Sequence, residues 1–230
     1  NSTLGPMFQA FDMTRHDVAM TVFPAFGRVG FAWIAGAVLY GIPNVLANFE
    51  PNEVLRLIAA ERVTIFNLVP TMAAMLLPVQ ASAPRDLGSI RAIVFAGSSL
   101  PESIREQTVA ALCPDIYEYY GMQETGALVV STPDDRKRRP DSVGKPLAFS
   151  EVRIADDDGN PFGPGQLGEI LGRSPNAVTA YFENAEKSAE TFRNGWIHTG
   201  DLGSLDDEGF LTIRGRKKDM IVTGGIVAKV

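Results

Sequence analysis

The stretch Ile90-Arg91-Ala92-Ile93-Val94-Phe95-Ala96-Gly97-Ser98-Ser99-Leu100-Pro101-Glu102 passes from a short apolar, β-branched run through a Gly/Ser loop into a segment of helical period ending near Leu112. A buried strand that feeds a helix through a few small residues is half of a β-α unit, and proline at a helix's first turn costs no hydrogen bond. The same alternation recurs on both sides. Strands are predicted over Ala19 to Phe23, Asn44 to Leu46, Thr64 to Leu68 and Ile116 to Tyr119. Helices are predicted from Pro51, with Val54, Leu55, Ile58 and Ala59 on one face, and from Pro70, with Met72, Met75 and Leu76. The pattern predicts an α/β fold whose first part, residues 1–131, is a mostly parallel β-α subdomain.

From Thr132 to Ser142 proline, aspartate and arginine dominate, which reads as a linker or surface loop. Beyond it Glu151 to Ile154 alternates polar and apolar, Asp156 to Asn160 reads as a turn, and Gly168 to Leu171 and Gly209 to Ile213 extend again. A smaller antiparallel β subdomain is predicted over 142–215, with one helical excursion from Asn184 to Phe192.

Composition narrows the function classes. With 230 residues, 45% of them hydrophobic, the chain can bury a sizeable core. A net charge of −6 excludes a general nucleic-acid binder, and the basic cluster Arg136-Lys137-Arg138-Arg139 reads as a solvated loop. One cysteine and two histidines offer neither an internal disulfide nor a zinc-spaced cluster, so a reducing, cytoplasmic setting is expected. The apolar stretch from Val29 to Tyr40 is too short for a transmembrane segment, and no targeting segment is visible. The chain opens without methionine at Asn1 and stops at Val230 inside what reads as an ongoing element, and a fragment is expected.

Five segments carry groups suited to chemistry. Gly195-Trp196-Ile197-His198-Thr199-Gly200-Asp201 holds a carboxylate between tight-turn glycines, and Gly215-Arg216-Lys217-Lys218-Asp219 supplies a guanidinium, a pair able to converge on a hydroxylated, phosphorylated ligand. Turns with solvated charges are the alternative. Tyr120-Gly121-Met122-Gln123-Glu124 follows a predicted strand, at the sheet edge where open α/β folds bind ligands. There Tyr120 offers a flat face for a base and Glu124 a hard oxygen for Mg²⁺, unless the segment is a plain β-α turn. Gly97 and Ser98 could line a purine or simply cap a helix. Phe23 to Gly30 could wall an organic substrate or belong to ordinary core.

Taken in order, these segments resemble the adenylate-forming family of acyl-CoA synthetases, firefly-type luciferases and nonribosomal peptide adenylation domains. Pro24-Ala25-Phe26-Gly27-Arg28-Val29-Gly30 is similar to the family's P-L-F-H-x-x-G, Ala96-Gly97-Ser98-Ser99-Leu100 to its G-G-A-x-L adenine loop, and Tyr120 to Glu124 to Y-G-x-T-E. Ser142 to Pro146, Gly168-Glu169-Ile170, Gly195 to Asp201 and Gly215 to Asp219 follow in family order. The resemblance implies a ligase that joins a carboxylic acid to ATP as an acyl-adenylate, with release of pyrophosphate, and passes the acyl group to coenzyme A. It implies that Glu124 holds Mg²⁺ and Tyr120 stacks on adenine beside Gly97 and Ser98, with Gly121 and Gln123 at the nucleotide. Asp201 would accept hydrogen bonds from the ribose and Arg216 add donors at ribose or phosphate, making Glu124 and Arg216 the catalytic pair. Phe26, Gly27, Gly30 and Met122 would line the acid's pocket.

The same comparison makes Asp219 a hinge, with residues 216–230 leading into a further domain. Gln123 departs from the family's threonine, Gly27 from its histidine, and Gly224 to Val230 from its G-G-x-N-V-x-P. The family's phosphate loop would lie upstream of Asn1 and its catalytic lysine beyond Val230, so the isolated polypeptide is expected to be inactive in adenylation. No carboxylate lies between Phe26 and Phe31 to hold an amino group, which favours a fatty or aromatic acid over an amino acid. A carrier protein in place of coenzyme A, a non-catalytic nucleotide-binding or scaffold protein, and a homo-oligomer all stay open.

Overall fold

The computed structural model describes residues 4–223 and 226–229, with side chains as far as Lys218. Two compact units divide the chain, Asn1–Tyr119 and Tyr120–Val230. The fold is α/β, with a mostly parallel sheet followed by a curled antiparallel one.

In the first unit the strands β1 (Ala19–Thr21), β2 (Asn44–Leu46), β3 (Ile65–Leu68), β4 (Ala92–Phe95) and β5 (Ile116–Met122) form a parallel sheet ordered β2-β1-β3-β4-β5. Helices α1 (Gly5–Ala10), α2 (Arg28–Tyr40), α3 (Pro51–Glu61), α4 (Pro70–Ser82) and α5 (Glu102–Ala111) flank these strands in sequence. Every residue of β3 and β4 is buried, as expected for strands covered on both faces, and their apolar runs are therefore continuous rather than alternating. Phe66, Leu68, Ile93 and Phe95 join Val54, Leu55 and Ile58 of α3 in one core. In α4 the buried face is Ala73, Leu76 and Leu77, while Met75, expected inside, is half-exposed.

Local chemistry sets the ends of these helices. The Glu50 carboxylate accepts the N–H groups of Asn52 (3.2 Å) and Glu53 (2.8 Å), replacing orphan bonds at the start of α3. Gly41, at φ 65°, closes α2 in the left-handed conformation. Before β1, the buried Asp17 accepts from Arg91 Nε (2.7 Å), Thr64 Oγ1 (2.7 Å) and the Thr14 N–H (2.8 Å). Burial pushes this carboxyl up, yet Arg91 and the other donors hold it below the usual carboxylate range.

The second unit opens with the last three residues of β5. A three-residue turn, Gln123-Glu124-Thr125, leads directly into β6 (Gly126–Ser131), so this segment is a hairpin and not the entry to a helix. Gly121 is required there, because a Cβ would lie 1.9 Å from the Gly126 carbonyl oxygen. The expected linker contains a helix, α6 (Pro133–Arg138), whose capping box pairs Thr132 with Asp135. Its basic cluster is not simply solvated. Arg138 pairs with Glu208 (2.5 Å), and Arg139 with both Asp206 (3.0 Å) and Glu208.

After β7 (Lys145–Pro146) come β8 (Glu151–Ala155), β9 (Gly168–Arg173), α7 (Ala185–Thr191), β10 (Phe192–Arg193), β11 (Trp196–Leu205) and β12 (Leu211–Arg216). The sheet is antiparallel in the order β10-β11-β9-β8, with β12 also on β11. A 3₁₀ turn, Lys217–Asp219, leads to the hairpin β13 (Met220–Thr223) and β14 (Ile226–Lys229).

Candidate functional site

The run from Gly195 to Asp201 is one strand with a turn before it and a bulge inside it. Asn194 (φ 52°) and Gly195 (φ 76°) form the two-residue loop between the paired Arg193 and Trp196, a left-handed turn that suits the twist of a hairpin. Gly200 (φ 72°) belongs instead to a bulge: between the pairs His198↔Leu171 and Leu202↔Glu169, three residues of β11 stand opposite Ile170 alone. Side chains take up the backbone groups that the ladder drops. Glu169 Oε1 accepts the Gly200 N–H (3.0 Å), Thr199 Oγ1 accepts the Asp201 N–H (3.0 Å), and the Thr199 hydroxyl donates to the Ile170 carbonyl (2.7 Å).

The bulge presents Asp201, whose side chain is 12% exposed, to two partners from distant segments. The Tyr120 hydroxyl donates to Oδ2 at 2.7 Å, and Arg216 Nε lies 3.1 Å from Oδ1, its residue facing Asp201 in the β11–β12 register. Burial first, then the Asp201 charge, pushes the Tyr120 phenol up, so it stays a donor. Over half of the Arg216 side chain remains open to solvent.

Glu124 is half-buried in the β5–β6 turn, and its Oε1 accepts from the Tyr181 hydroxyl at 2.6 Å. Gly121 and Met122 sit in β5 beside it, and Gln123 is exposed at the turn. Among the described residues, no group of three or more His, Cys, Asp or Glu could hold a metal ion alone. A lone carboxylate such as Glu124 could supply one ligand of a Mg²⁺ ion whose other oxygens come from a nucleotide and water.

Behind Asp201 lies a second group of side chains. Glu169, 5% exposed, faces His198 Nδ1 (3.2 Å) and Lys217 Nζ (3.4 Å) through Oε2, and Lys217 also reaches Asp157 (2.5 Å). Burial pushes the Glu169 carboxyl up, but the bonds from His198 and Gly200 and the Lys217 charge bring it below its ordinary value. Arg193 Nη2 also approaches His198 Nδ1 (2.8 Å), so a neutral ring serves either Arg193 as acceptor or Glu169 as donor.

In the first unit, Gly97 (φ 84°) and Ser98 form an exposed loop at the carboxyl end of β4. Its serines do not cap α5, whose N-cap is Pro101 without a side-chain bond. Phe26 is 95% exposed on the rim of an open cleft of about 710 Å³ lined by Val22, Phe23, Leu46, Phe49 and Met72. Gly27 is the N-cap of α2, and Gly30 is held by sterics, since a Cβ would meet the Pro24 carbonyl oxygen at 2.2 Å. The Asp219 backbone lies in the 3₁₀ turn after Arg216, whereas Gly224, Gly225 and Val230, part of the run Gly224 to Val230 that departs from the family pattern, lie outside the described residues.

The structure thus joins Tyr120, Asp201 and Arg216 at one point and pairs Glu124 with Tyr181. Reading the residues missed Glu169, Thr199, Tyr181 and Lys217 as site members. Thr199 and Lys217 stood inside the Gly195 to Asp201 and Gly215 to Asp219 motifs and Glu169 inside Gly168-Glu169-Ile170, each without a role of its own.

Residues 2–182 match the family described as AMP-binding enzyme. The 2-succinylbenzoate–CoA ligase of Bacillus velezensis is 36% identical over 215 residues, covering 93% of this chain and 43% of the ligase. The medium/long-chain-fatty-acid–CoA ligase FadD8 of Mycobacterium tuberculosis is 37% identical over 183 residues, 79% of this chain and 32% of that protein. Among solved structures, the O-succinylbenzoate coenzyme A synthetase of Bacillus subtilis in complex with ATP and magnesium ion superimposes with a TM-score of 0.87 at 32% identity, over 98% of this chain and 47% of that one. The chain spans less than half the length of the two curated relatives. By sequence and by fold, it belongs to the AMP-binding enzyme family of adenylate-forming ligases.

Proposed function

We propose that this chain forms the nucleotide and acid side of an acid–thiol ligase, which activates a fatty or aromatic carboxylic acid with ATP and transfers it to coenzyme A. The observation that carries the reading is the convergence of Tyr120 and Arg216 on the Asp201 carboxylate. A carboxylate accepts about four hydrogen bonds. Tyr120 and Arg216 each take one in the described site, leaving about two, the number a ribose diol donates.

In the first half-reaction the acid's carboxylate oxygen attacks the α-phosphorus and the bond to pyrophosphate breaks, so the protein's task is placement and charge neutralisation. Asp201 orients the ribose and the Arg216 guanidinium adds donors beside it. Glu124, steadied by Tyr181, would take the Mg²⁺ that neutralises the phosphates. In the first unit Gly97 and Ser98 offer an exposed loop edge suited to adenine, and in the second Tyr120, Gly121 and Gln123 are the residues we assign to the nucleotide. The cleft behind Phe26, with apolar walls, suits the acid's hydrocarbon part. Gly27 and Gly30, at the start of α2 beside Phe26, and Met122 of β5 are further residues we assign to the acid, and Asp219 is the pivot for the residues that follow. The 230 residues alone are not expected to complete turnover.

Calorimetric titration of the full-length protein with AMP tests the reading. Asp201→Ala is expected to weaken binding by about 10-fold or more. An unchanged affinity overturns the ribose assignment.

A further inference from the structure

We infer that Glu169 is a positioning residue for the nucleotide: one buried carboxylate holds the bulge that aims Asp201 and anchors the turn that follows Arg216. The inference rests on the assignment of Asp201 to the ribose, and it concerns a residue that does not itself touch the ligand.

Three features of Glu169 carry it. First, its Oε1 accepts the N–H of Gly200, the residue immediately before Asp201, at 3.0 Å. No ladder bond from β9 replaces it, because three residues of β11 face Ile170 alone. Second, its Oε2 faces Lys217 Nζ at 3.4 Å, and Lys217 immediately follows Arg216. The two ends of the ion pair that defines the site are therefore each one residue from a group bound by the same carboxylate. Third, Glu169 is only 5% exposed, so its geometry is not blurred by solvent, and a missing side chain leaves the Gly200 N–H to find another acceptor inside the sheet.

Alternation along β9 places the carboxylate correctly. Glu169 stands at the register position of Leu202, one residue beyond Asp201, where the bulge re-enters the ladder. A glutamate here does for the bulge what a cap does for a helix end: it supplies the acceptor the backbone lacks. Thr199 performs the complementary task, taking the Asp201 N–H and returning a donor to Ile170.

A double-mutant cycle on the full-length protein separates this role from bulk stability. AMP affinity is measured by calorimetry for Glu169→Ala, Asp201→Ala and the pair, alongside KM for ATP and for the acid. Glu169→Ala is expected to weaken AMP about 10-fold and to raise KM for ATP while leaving KM for the acid unchanged. In the Asp201→Ala background the same change is expected to cost almost nothing further. Glu169→Gln keeps an amide oxygen for the Gly200 N–H and should recover most of the AMP affinity; it also carries the cycle if the alanine variant does not fold.

Additive losses, or an acid KM that rises in step with that for ATP, overturn the positioning role while leaving the ribose assignment intact. An Asp201→Ala variant that binds AMP normally overturns the ribose assignment, and the positioning role with it.

Discussion

Replacing Tyr120 with phenylalanine removes a single hydroxyl and keeps the ring that packs against the core cluster formed by Leu128, Val129, Ile154, Ile170 and Leu211. The lost bond is a 2.7 Å donation to a carboxylate whose side chain is 12% exposed. Hydrogen bonds to charged groups contribute about 1.5–3 kcal/mol, and partial access of water to Asp201 places this one near 1.5–2 kcal/mol. For a chain of this length, at roughly 2–4 °C per kcal/mol, Tyr120→Phe should lower Tm by about 3–8 °C. If Asp201 also holds the ribose, AMP affinity should fall about 10-fold, since its Oδ2 loses the bond that fixes its direction.

The effect has a defined pH signature. Burial and the Asp201 charge raise the Tyr120 pKa above its unfolded value of about 10, so the hydroxyl donates throughout the range below it and the contribution fades only as pH climbs through the raised value. Thermal melts and AMP titrations at pH 6 and pH 9 should therefore show the same difference between the two proteins. A phenylalanine variant with unchanged Tm and AMP affinity would falsify the claim that Tyr120 sets the Asp201 carboxylate.

Other perturbations test separate parts of the structure. Gly121→Ala forces a Cβ to within 1.9 Å of the Gly126 carbonyl and should destabilise the protein by about 1–3 kcal/mol in urea denaturation, whereas an unchanged midpoint would mean that the hairpin is not this tight. Asp17 has a lowered pKa, so its stabilising contribution is present above the unfolded value of about 4 and is lost as pH falls below it; Asp17→Asn should be less stable at pH 7 and show a flatter acid limb between about pH 4 and 2. Glu124→Gln should weaken binding of Mg·ATP several-fold and leave AMP binding, measured without metal, near normal. Equal losses for both nucleotides would place Glu124 elsewhere in the mechanism.

The β-α half of the fold was legible because strands covered on both faces are written as unbroken apolar runs, as in Ala92-Ile93-Val94-Phe95. Helix starts at Pro51 and Pro70 were legible for an equally local reason. One local signal went unused: Thr132-Pro133-Asp134-Asp135 spells a capping box inside what reads as a linker, whereas Gly195 does close the tight turn its reading expected. The bond between Tyr120 and Asp201 has no such signature, because it joins residues 81 positions apart and depends on the register of β11 against β9 and β12. Gly200 was read as a tight turn because a glycine at positive φ looks the same in sequence whether it closes a hairpin or opens a bulge. Glu169 was opaque for a related reason: its partners are a backbone N–H and a histidine of β11 and a lysine of the turn after β12.

The bulge at Thr199-Gly200-Asp201 also bears on how this protein can be improved. Removing two residues would let β11 pair with β9 without interruption, giving a strand that any criterion of regularity prefers. That more ideal sheet would no longer aim a carboxylate at the site. Engineering for thermal robustness that smooths this strand would therefore remove the carboxylate we assign to the nucleotide, together with its bonds to Tyr120 and Arg216, and stabilising substitutions belong in the first unit's core and helix ends instead.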